Sequence, residues 1–274
     1  MLRYAHLAVE GRAIHYATEG GGPPLLLLPT PPFDHRLWAP AIPYLSGRFR
    51  VVAPDLPGFG GSEAAEQDGA PDQLVRTVAG FVTAARMVPC AVAGAGLGGG
   101  AALWLAARYP ERVSALVAVG ALGLEVWPAT AQARLARALR GVPGLLSFGV
   151  RLAPRAHARW YLRAAFADEG LIDEALVGQL AGTLRTKAAR RALARTLVRL
   201  DDWRKLGRLL GAVRAPALLV WGERDALYGL PAAERLRHAI PGARLTTLPG
   251  AGHLLPLERP VELAEVMRRF LLGQ

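Results

Sequence analysis

The sequence has a single cysteine, Cys90, and no long apolar run. One cysteine excludes a disulfide within the chain, and the apolar residues around Cys90 predict an unreactive thiol in the core. No run approaches the roughly 20 apolar residues that a membrane-spanning helix needs. The first residues contain no apolar signal segment, so we expect a cytoplasmic protein with no membrane contact.

Excess negative charge is also absent, since 33 Lys and Arg against 22 Asp and Glu give a net charge of +11. Residues 131–214 contain 17 basic and 6 acidic residues and therefore carry all of the net charge. Arg151, Arg155, Arg159 and Arg163 recur at every fourth residue, which predicts one helical face. A solvated face explains this pattern, and the alternative is docking of an anionic or carrier-protein-bound substrate. No nucleic-acid-binding motif accompanies the charge, so we expect no nucleic-acid partner.

A serine is missing from a glycine-rich turn that follows a short apolar run. Residues 91–100 read AVAGAGLGGG, and a helical pattern continues to Tyr109. A strand, a sharp turn and a helix in this order form a nucleophile elbow, whose usual pattern is G-x-S-x-G. Here the pattern reads G-A-G-L-G, with Gly96 in the place of the attacking serine.

The same glycines also match G-x-G-x-x-G, the fingerprint of dinucleotide binding. That function requires an acidic residue about 20 positions later, at the end of the next strand. The next predicted strand is followed by GALG at residues 120–123, and Glu125 comes too late. We therefore interpret the turn as an elbow.

Short apolar runs alternate with helical patterns over most of the chain. They predict a hairpin over residues 7–17 and strands at residues 25–28, 51–53, 91–93, 115–119, 217–221 and 244–248. Helical patterns cover residues 73–86, 99–108, 231–240 and 260–272. This alternation predicts an α/β fold with a mainly parallel central sheet and helices on both faces. Residues 131–214 have only helical patterns. They predict an inserted all-helical cap over residues 123–214 on a core of residues 1–122 and 215–274.

Four segments, in this order along nearly the full chain, resemble those of the α/β-hydrolase fold superfamily. They are LLLL followed by DHRLW within residues 25–38, DLPGFGGS at 55–62, the glycine elbow, and WGERD at 221–225 with GAGH at 250–253. The family's triad runs nucleophile, acid, histidine along the chain. The resemblance therefore implies Gly96, Asp225 and His253 at these positions, with the carboxylate orienting the imidazole as a base. It implies a structural role for the turn at 55–62, and no cofactor or metal.

The first of these segments also departs from the family pattern. After this strand the family has H-G-x, where the N–H of x donates to the oxyanion, and counting back from Trp38 places Pro29, Thr30 and Pro31 there. Because proline has no N–H, the resemblance implies Leu97 as the remaining backbone donor, with Thr30 as a second if the register slips by one residue. The serine and one backbone N–H of the oxyanion hole are both missing. This double change favours a natural loss of the hydrolase site over an engineered substitution at residue 96.

Without the serine the family's covalent acyl-enzyme is not available. A His253–Asp225 pair still transfers protons, so we expect a non-hydrolytic enzyme of lyase, isomerase, dehydratase or cyclase type acting on a small, largely apolar molecule. Three alternatives are direct hydrolysis by water, a serine hydrolase with an engineered glycine, and a non-catalytic small-molecule binding protein. We expect an apolar pocket between sheet and cap. Its predicted lining residues are Phe33, Trp38, Trp127, Trp160, Tyr161 and Tyr228.

Overall fold

The computed structural model describes residues 1–64, 69–128, 134–135, 137–138 and 142–273. At its centre eight strands form one sheet. They are β1 Arg3–Val9, β2 Arg12–Glu19, β3 Pro24–Leu28, β4 Arg50–Pro54, β5 Cys90–Ala95, β6 Val113–Val119, β7 Ala217–Gly222 and β8 Arg244–Leu248. Their order across the sheet is β1-β2-β4-β3-β5-β6-β7-β8. The pairs β1–β2 and β2–β4 are antiparallel, and all other neighbouring pairs are parallel.

The central strands are continuous apolar runs because both faces of the sheet are covered. The leucines of β3 and every residue of β5 are buried. This pattern is typical of parallel strands between two layers of helices. At the edge of the sheet most residues of β1 are instead exposed or half-buried.

Helices flank the sheet on both faces. Those of the core are α1 Ile42–Ser46, α2 Pro71–Ala84 and α3 Leu97–Arg108, and, after β7, α8 Leu230–Ala239, α9 Leu255–Glu258 and α10 Pro260–Leu271. Helix α2 packs beside α3, whereas α1 packs beside α10. The predicted fold class, a mainly parallel sheet covered by helices on both faces, is confirmed.

Helices also fill the chain between β6 and β7. They are α4 Pro143–Leu152, α5 Pro154–Ala165, α6 Glu174–Arg185 and α7 Lys187–Val198, followed by a 3-10 segment, Leu200–Arg208. The last segment reaches the core where the rings of Trp104 and Trp203 meet edge to face at 5.7 Å. Residues 129–133, 136 and 139–141 of the predicted cap lie outside the described residues. Within the described chain no helix is both long and apolar enough to cross a membrane.

The four evenly spaced arginines do not share one helix, so that prediction is wrong. Arg151 lies in α4, and Pro154 begins α5 after a break at Ala153. The break has a simple cause, since proline disfavours helical backbone at the residue before it. Arg155 and Arg159 both pair with Glu174, and Arg163 pairs with Glu169, all at exposed positions.

Candidate active site

Gly96 forms the sharp turn between β5 and α3. Its backbone has φ 52° and ψ −119°, a conformation that glycine adopts without strain and other residues do not. Its N–H donates to the carbonyl of Val119, and its own carbonyl accepts the N–H of Leu122. The turn is therefore fixed from both sides at the carboxyl end of the sheet.

The side chain of Thr30 fills the space beside Gly96. A Cβ atom added to Gly96 would lie 2.6 Å from Thr30 Oγ1 and 2.9 Å from Thr30 Cβ. Thr30 Oγ1 also accepts the N–H of Leu97 at 3.2 Å. The place that a serine side chain would take at this turn is therefore not vacant, because a side chain from the loop after β3 occupies it. In this structure the N–H of Leu97 is already hydrogen-bonded, and Thr30 contributes its hydroxyl.

Asp225 and His253 form a buried hydrogen-bonded pair in two loops that follow β7 and β8. His253 Nδ1 lies 2.8 Å from Asp225 Oδ2, with 3 % of the imidazole and none of the carboxylate exposed. Asp225 Oδ1 accepts the backbone N–H groups of Leu227 and Tyr228 at 2.8 and 2.9 Å. An ionised carboxylate only accepts hydrogen bonds, so Nδ1 carries the proton and Nε2 is left as the basic nitrogen.

Glu258 holds the His253 loop against the end of α5, and sequence reasoning missed it. Its Oε2 accepts the N–H of Gly252 and the N–H of Ala167, both at 3.0 Å. The backbone N–H of His253 donates to the carbonyl of Ala165 at 2.7 Å. Glu258 is 5 % exposed. The sequence does contain one sign of a buried role for Glu258, since it is the only charged residue in the apolar run LLPLE that follows His253.

Two predicted pocket residues, Tyr161 and Tyr228, are protonated phenols beside the pair. Burial raises the pKa of Tyr228, and the neighbouring Tyr161 and Asp225 raise it further. Burial, together with the charge of Asp225, also raises the pKa of Tyr161. The ring of Tyr228 lies 5.7 Å from that of His253, but its hydroxyl donates to the carbonyl of Val126 at 3.1 Å. That proton is thus engaged with the backbone.

The other predicted lining residues are spread over different environments. Phe33 is buried with its ring 6.3 Å from that of Tyr161. Trp38 is fully buried, and its indole N–H donates to the carbonyl of Leu28, so it belongs to the core. The indole of Trp127 donates to Asp201 at 3.0 Å.

Trp160 is 43 % exposed, with its ring beside His157. This part of α5 thus presents the indole to solvent, and Trp160 is not among the lining residues of the crevice at the elbow.

A narrow crevice reaches the elbow between residues around the sheet and residues of the segment between β6 and β7. Its volume is about 20 Å³, and Leu97, Pro31, Phe59, Thr196 and Trp203 are among its lining residues. This volume is enough for about one water molecule. The predicted apolar pocket is thus filled at this position by side chains from both parts of the chain.

Residues 23–260 match the family model of the alpha/beta hydrolase fold. The chain belongs to this family. This α/β-hydrolase chain is 30% identical to a pimeloyl-[acyl-carrier protein] methyl ester esterase of Aromatoleum aromaticum, over 92% of the chain and 99% of that protein. It is also 30% identical to a 2-hydroxy-6-oxo-6-phenylhexa-2,4-dienoate hydrolase of Burkholderia cepacia, over 77% of the chain and 73% of that protein.

A solved structure supports the same fold assignment for this α/β-hydrolase. The epoxide hydrolase CorEH superposes with a TM-score of 0.88, covering 100% of this chain and 99% of the other. Its sequence identity is 20%, so it shows the fold alone. The curated relatives carry the names of enzymes, and the superfamily part of the sequence-based prediction is confirmed.

Proposed function

We propose that this α/β-hydrolase-fold chain is an enzyme that works by proton transfer, with His253 as the base and acid and Asp225 orienting it. The proposed substrate is a small, largely apolar molecule, and the proposed reaction is of lyase, isomerase, dehydratase or cyclase type. No covalent bond forms to residue 96. The proposal is carried by the buried hydrogen-bonded pair of Asp225 and His253, together with a glycine at the position of the nucleophile.

The packing around Gly96 supports natural loss of the nucleophile over an engineered replacement. A serine at this position requires Thr30 to move, because the added Cβ would lie 2.6 Å from Thr30 Oγ1. Thr30 also engages the N–H of Leu97, which would be the second part of an oxyanion hole. The two features together support a site that is not built for acyl-serine chemistry.

Hydrolysis is the second candidate, and the names of the relatives favour it. Both curated relatives are named as an esterase or a hydrolase. In that case His253 Nε2 removes a proton from water as the water oxygen attacks the ester carbonyl. The bond from the acyl carbon to the alcohol oxygen then breaks, and His253 returns the proton to the departing alcohol. Such general-base catalysis contributes about 10² to 10⁴ in rate when the base is well placed.

Residues 123–214 are proposed to act as a cap that must move for the substrate to enter. The crevice at Leu97 holds about 20 Å³, and Thr196 and Trp203 of the cap segment form part of its wall. A substrate of several carbon atoms therefore displaces these residues. The net positive charge of this segment favours a carboxylate on the substrate or an acidic carrier. At α5 such a partner would compete with Glu174 and Glu169, which pair with Arg155, Arg159 and Arg163.

The experiment compares turnover and binding in the parent protein and in His253→Ala. Candidate esters, thioesters and carbonyl compounds are incubated in water enriched in ¹⁸O, and products are read by mass spectrometry. Hydrolysis places ¹⁸O in the product, whereas a lyase or isomerase reaction does not. We expect His253→Ala to lower kcat by about 10² to 10⁴ with little change in substrate affinity.

His238→Ala is the matched control, because His238 is exposed on α8, away from the Asp225 pair. Equal turnover in His253→Ala and the parent would contradict the proposal, as would an acyl group trapped on the chain. Binding of a ligand without turnover in the parent would support the alternative of a binding protein.

A further inference from the structure

A second cluster of titratable side chains lies around Asp55, separate from the His253 pair. The Asp55 carboxylate is fully buried and each of its oxygens accepts two hydrogen bonds. Oδ1 accepts from the ring and the backbone N–H of His35 at 2.7 and 2.8 Å. Oδ2 accepts from the ring of His15 and the N–H of Gly61, both at 2.8 Å. One carboxylate therefore orients two imidazoles.

This bonding fixes the same tautomer in both histidines. Each oxygen of Asp55 already accepts a backbone N–H, from His35 and from Gly61, both at 2.8 Å. The carboxylate is thus the acceptor in both contacts with the rings. Both Nδ1 atoms must therefore carry the proton, which leaves a lone pair on Nε2 of His15 and of His35.

A third histidine and a cavity adjoin this pair. His6 is exposed directly opposite His15 in the β1–β2 ladder, with its ring 5.0 Å from that of His15. The rings of His15 and His35 are 5.2 Å apart. A cavity of about 420 Å³ is lined by both rings and by Tyr4, Arg36 and Thr183, among others.

The local charge favours a cation over an anion. Arg36 lines the same cavity, and its guanidinium pairs with Asp34 through several hydrogen bonds of 2.6 to 3.1 Å. These two charges cancel, so the carboxylate of Asp55 supplies the uncompensated charge of the cluster. A histidine that donates one ring N–H to a carboxylate and offers the other nitrogen is the usual arrangement of a metal-ligating histidine.

We propose that His15 and His35 bind a divalent transition-metal ion through their Nε2 atoms, with Asp55 holding both rings. Imidazole nitrogen favours Zn²⁺, Ni²⁺ or Cu²⁺ over Mg²⁺ and Ca²⁺. The ion joins β2, the loop after β3 and the turn after β4. It therefore has a stabilising role in the core, and it takes no part in the chemistry proposed for His253.

In the test, Zn²⁺ is titrated into EDTA-treated protein that carries no histidine tag, and the heat of binding is measured by calorimetry. We expect one Zn²⁺ per chain, no heat with Mg²⁺, and a higher thermal midpoint with Zn²⁺. His15→Gln and His35→Gln should each weaken binding at least tenfold, and Asp55→Asn about 10- to 100-fold. His157→Gln is the matched control and should bind as the parent does, since its ring lies on α5 and bonds to Ala153.

A measurement on the unmodified protein covers the case in which the variants fail to fold. Zn²⁺ should protect His15 and His35 from diethylpyrocarbonate, read residue by residue by mass spectrometry, and should leave His238 reactive. The proposal is overturned if the parent shows no one-to-one binding below about 100 µM Zn²⁺. It is equally overturned if folded His15→Gln and His35→Gln bind Zn²⁺ as tightly as the parent, or if neither histidine is protected.

Discussion

At the scale of single residues, Gly96 and Thr30 must be understood together. Glycine suits the positive φ of the turn, and it also leaves room for the threonine side chain that bonds to Leu97. A β-branched threonine has few χ1 rotamers, so it cannot easily turn away from an added Cβ. The identity of residue 96 is therefore linked to that of residue 30 by contact, in addition to any role in catalysis.

Gly96→Ser is expected to destabilise the protein, and Thr30→Gly to relieve most of that cost. An added Cβ would lie 2.6 Å from Thr30 Oγ1 and 2.9 Å from Thr30 Cβ. Overpacking of this kind costs about 1–3 kcal/mol. The free energies of unfolding of the parent, both single variants and the double variant, measured in urea, give the coupling between the two positions.

The double-mutant cycle removes the contribution of backbone strain, because that strain is present in both backgrounds. Gly96→Ala is the control and should cost about as much as the serine, since the Cβ causes the contact. An equal penalty for Gly96→Ser with and without Thr30 would show that the two residues are not coupled. Generic esterase activity that appears only in the double variant would identify Thr30 as the second barrier to serine chemistry.

At the scale of secondary-structure elements, Glu258 at the end of α9 connects the His253 loop to the end of α5. One carboxylate oxygen accepts N–H groups from Gly252 and Ala167, and His253 itself donates to Ala165. The position of the base therefore depends on a contact between the core and the helices inserted between β6 and β7. A movement of α5 during substrate entry would be transmitted to His253 through these bonds.

Glu258→Ala is expected to lower the free energy of unfolding by about 2–4 kcal/mol, because it leaves one buried and one half-buried N–H group without their acceptor. It should also lower the melting temperature and reduce the turnover that depends on His253. Thermal and urea unfolding measure the first effect. Glu262→Ala is the matched control, since Glu262 is exposed in the first turn of α10. Similar losses of stability in both variants would show that the hydrogen bonds of Glu258 stabilise the protein no more than an exposed glutamate does.

Elements with a strong apolar pattern could be predicted from the sequence, and contacts between distant segments could not. The run at Leu25 to Leu28 and the pattern after Pro260 match β3 and α10 to within one residue. The break at Ala153 was missed because the spacing of the arginines continues through it. The contact of Thr30 with the Gly96 turn was missed because periodicity carries no information on which loops meet.

The candidate site was likewise predictable where a sequence motif marks a residue and not where distant segments meet. Asp225 and His253 were predicted as a pair because two motifs resemble family segments, and they are hydrogen-bonded in the structure. Trp160 was assigned to the pocket from its aromatic character alone, and it is exposed. Asp55 was predicted to be structural, but its two histidine partners come from segments that the motif does not contain.

At the scale of the whole molecule, the sheet is joined by side-chain contacts to the helical segment between β6 and β7, which is the proposed cap. Trp104 of α3 meets Trp203 edge to face, and Glu258 bonds to the residues that follow α5. A chain of 274 residues exceeds the size at which single-step unfolding is the rule. Whether the cap unfolds with the sheet therefore depends on the strength of these contacts.

Cys90 provides a probe of this cooperativity, because it is the only cysteine and begins β5 at the centre of the sheet. Burial raises the pKa of its thiol to about 12, so at neutral pH it reacts only when the sheet opens. We expect the urea midpoint of Cys90 labelling by a thiol reagent to coincide with the midpoint of helix loss by far-UV circular dichroism. Helix loss at lower urea, with Cys90 still protected, would instead show that the cap unfolds by itself. Glu258→Ala should separate the two midpoints if the Glu258 bonds contribute to the coupling, whereas Glu262→Ala should leave them together.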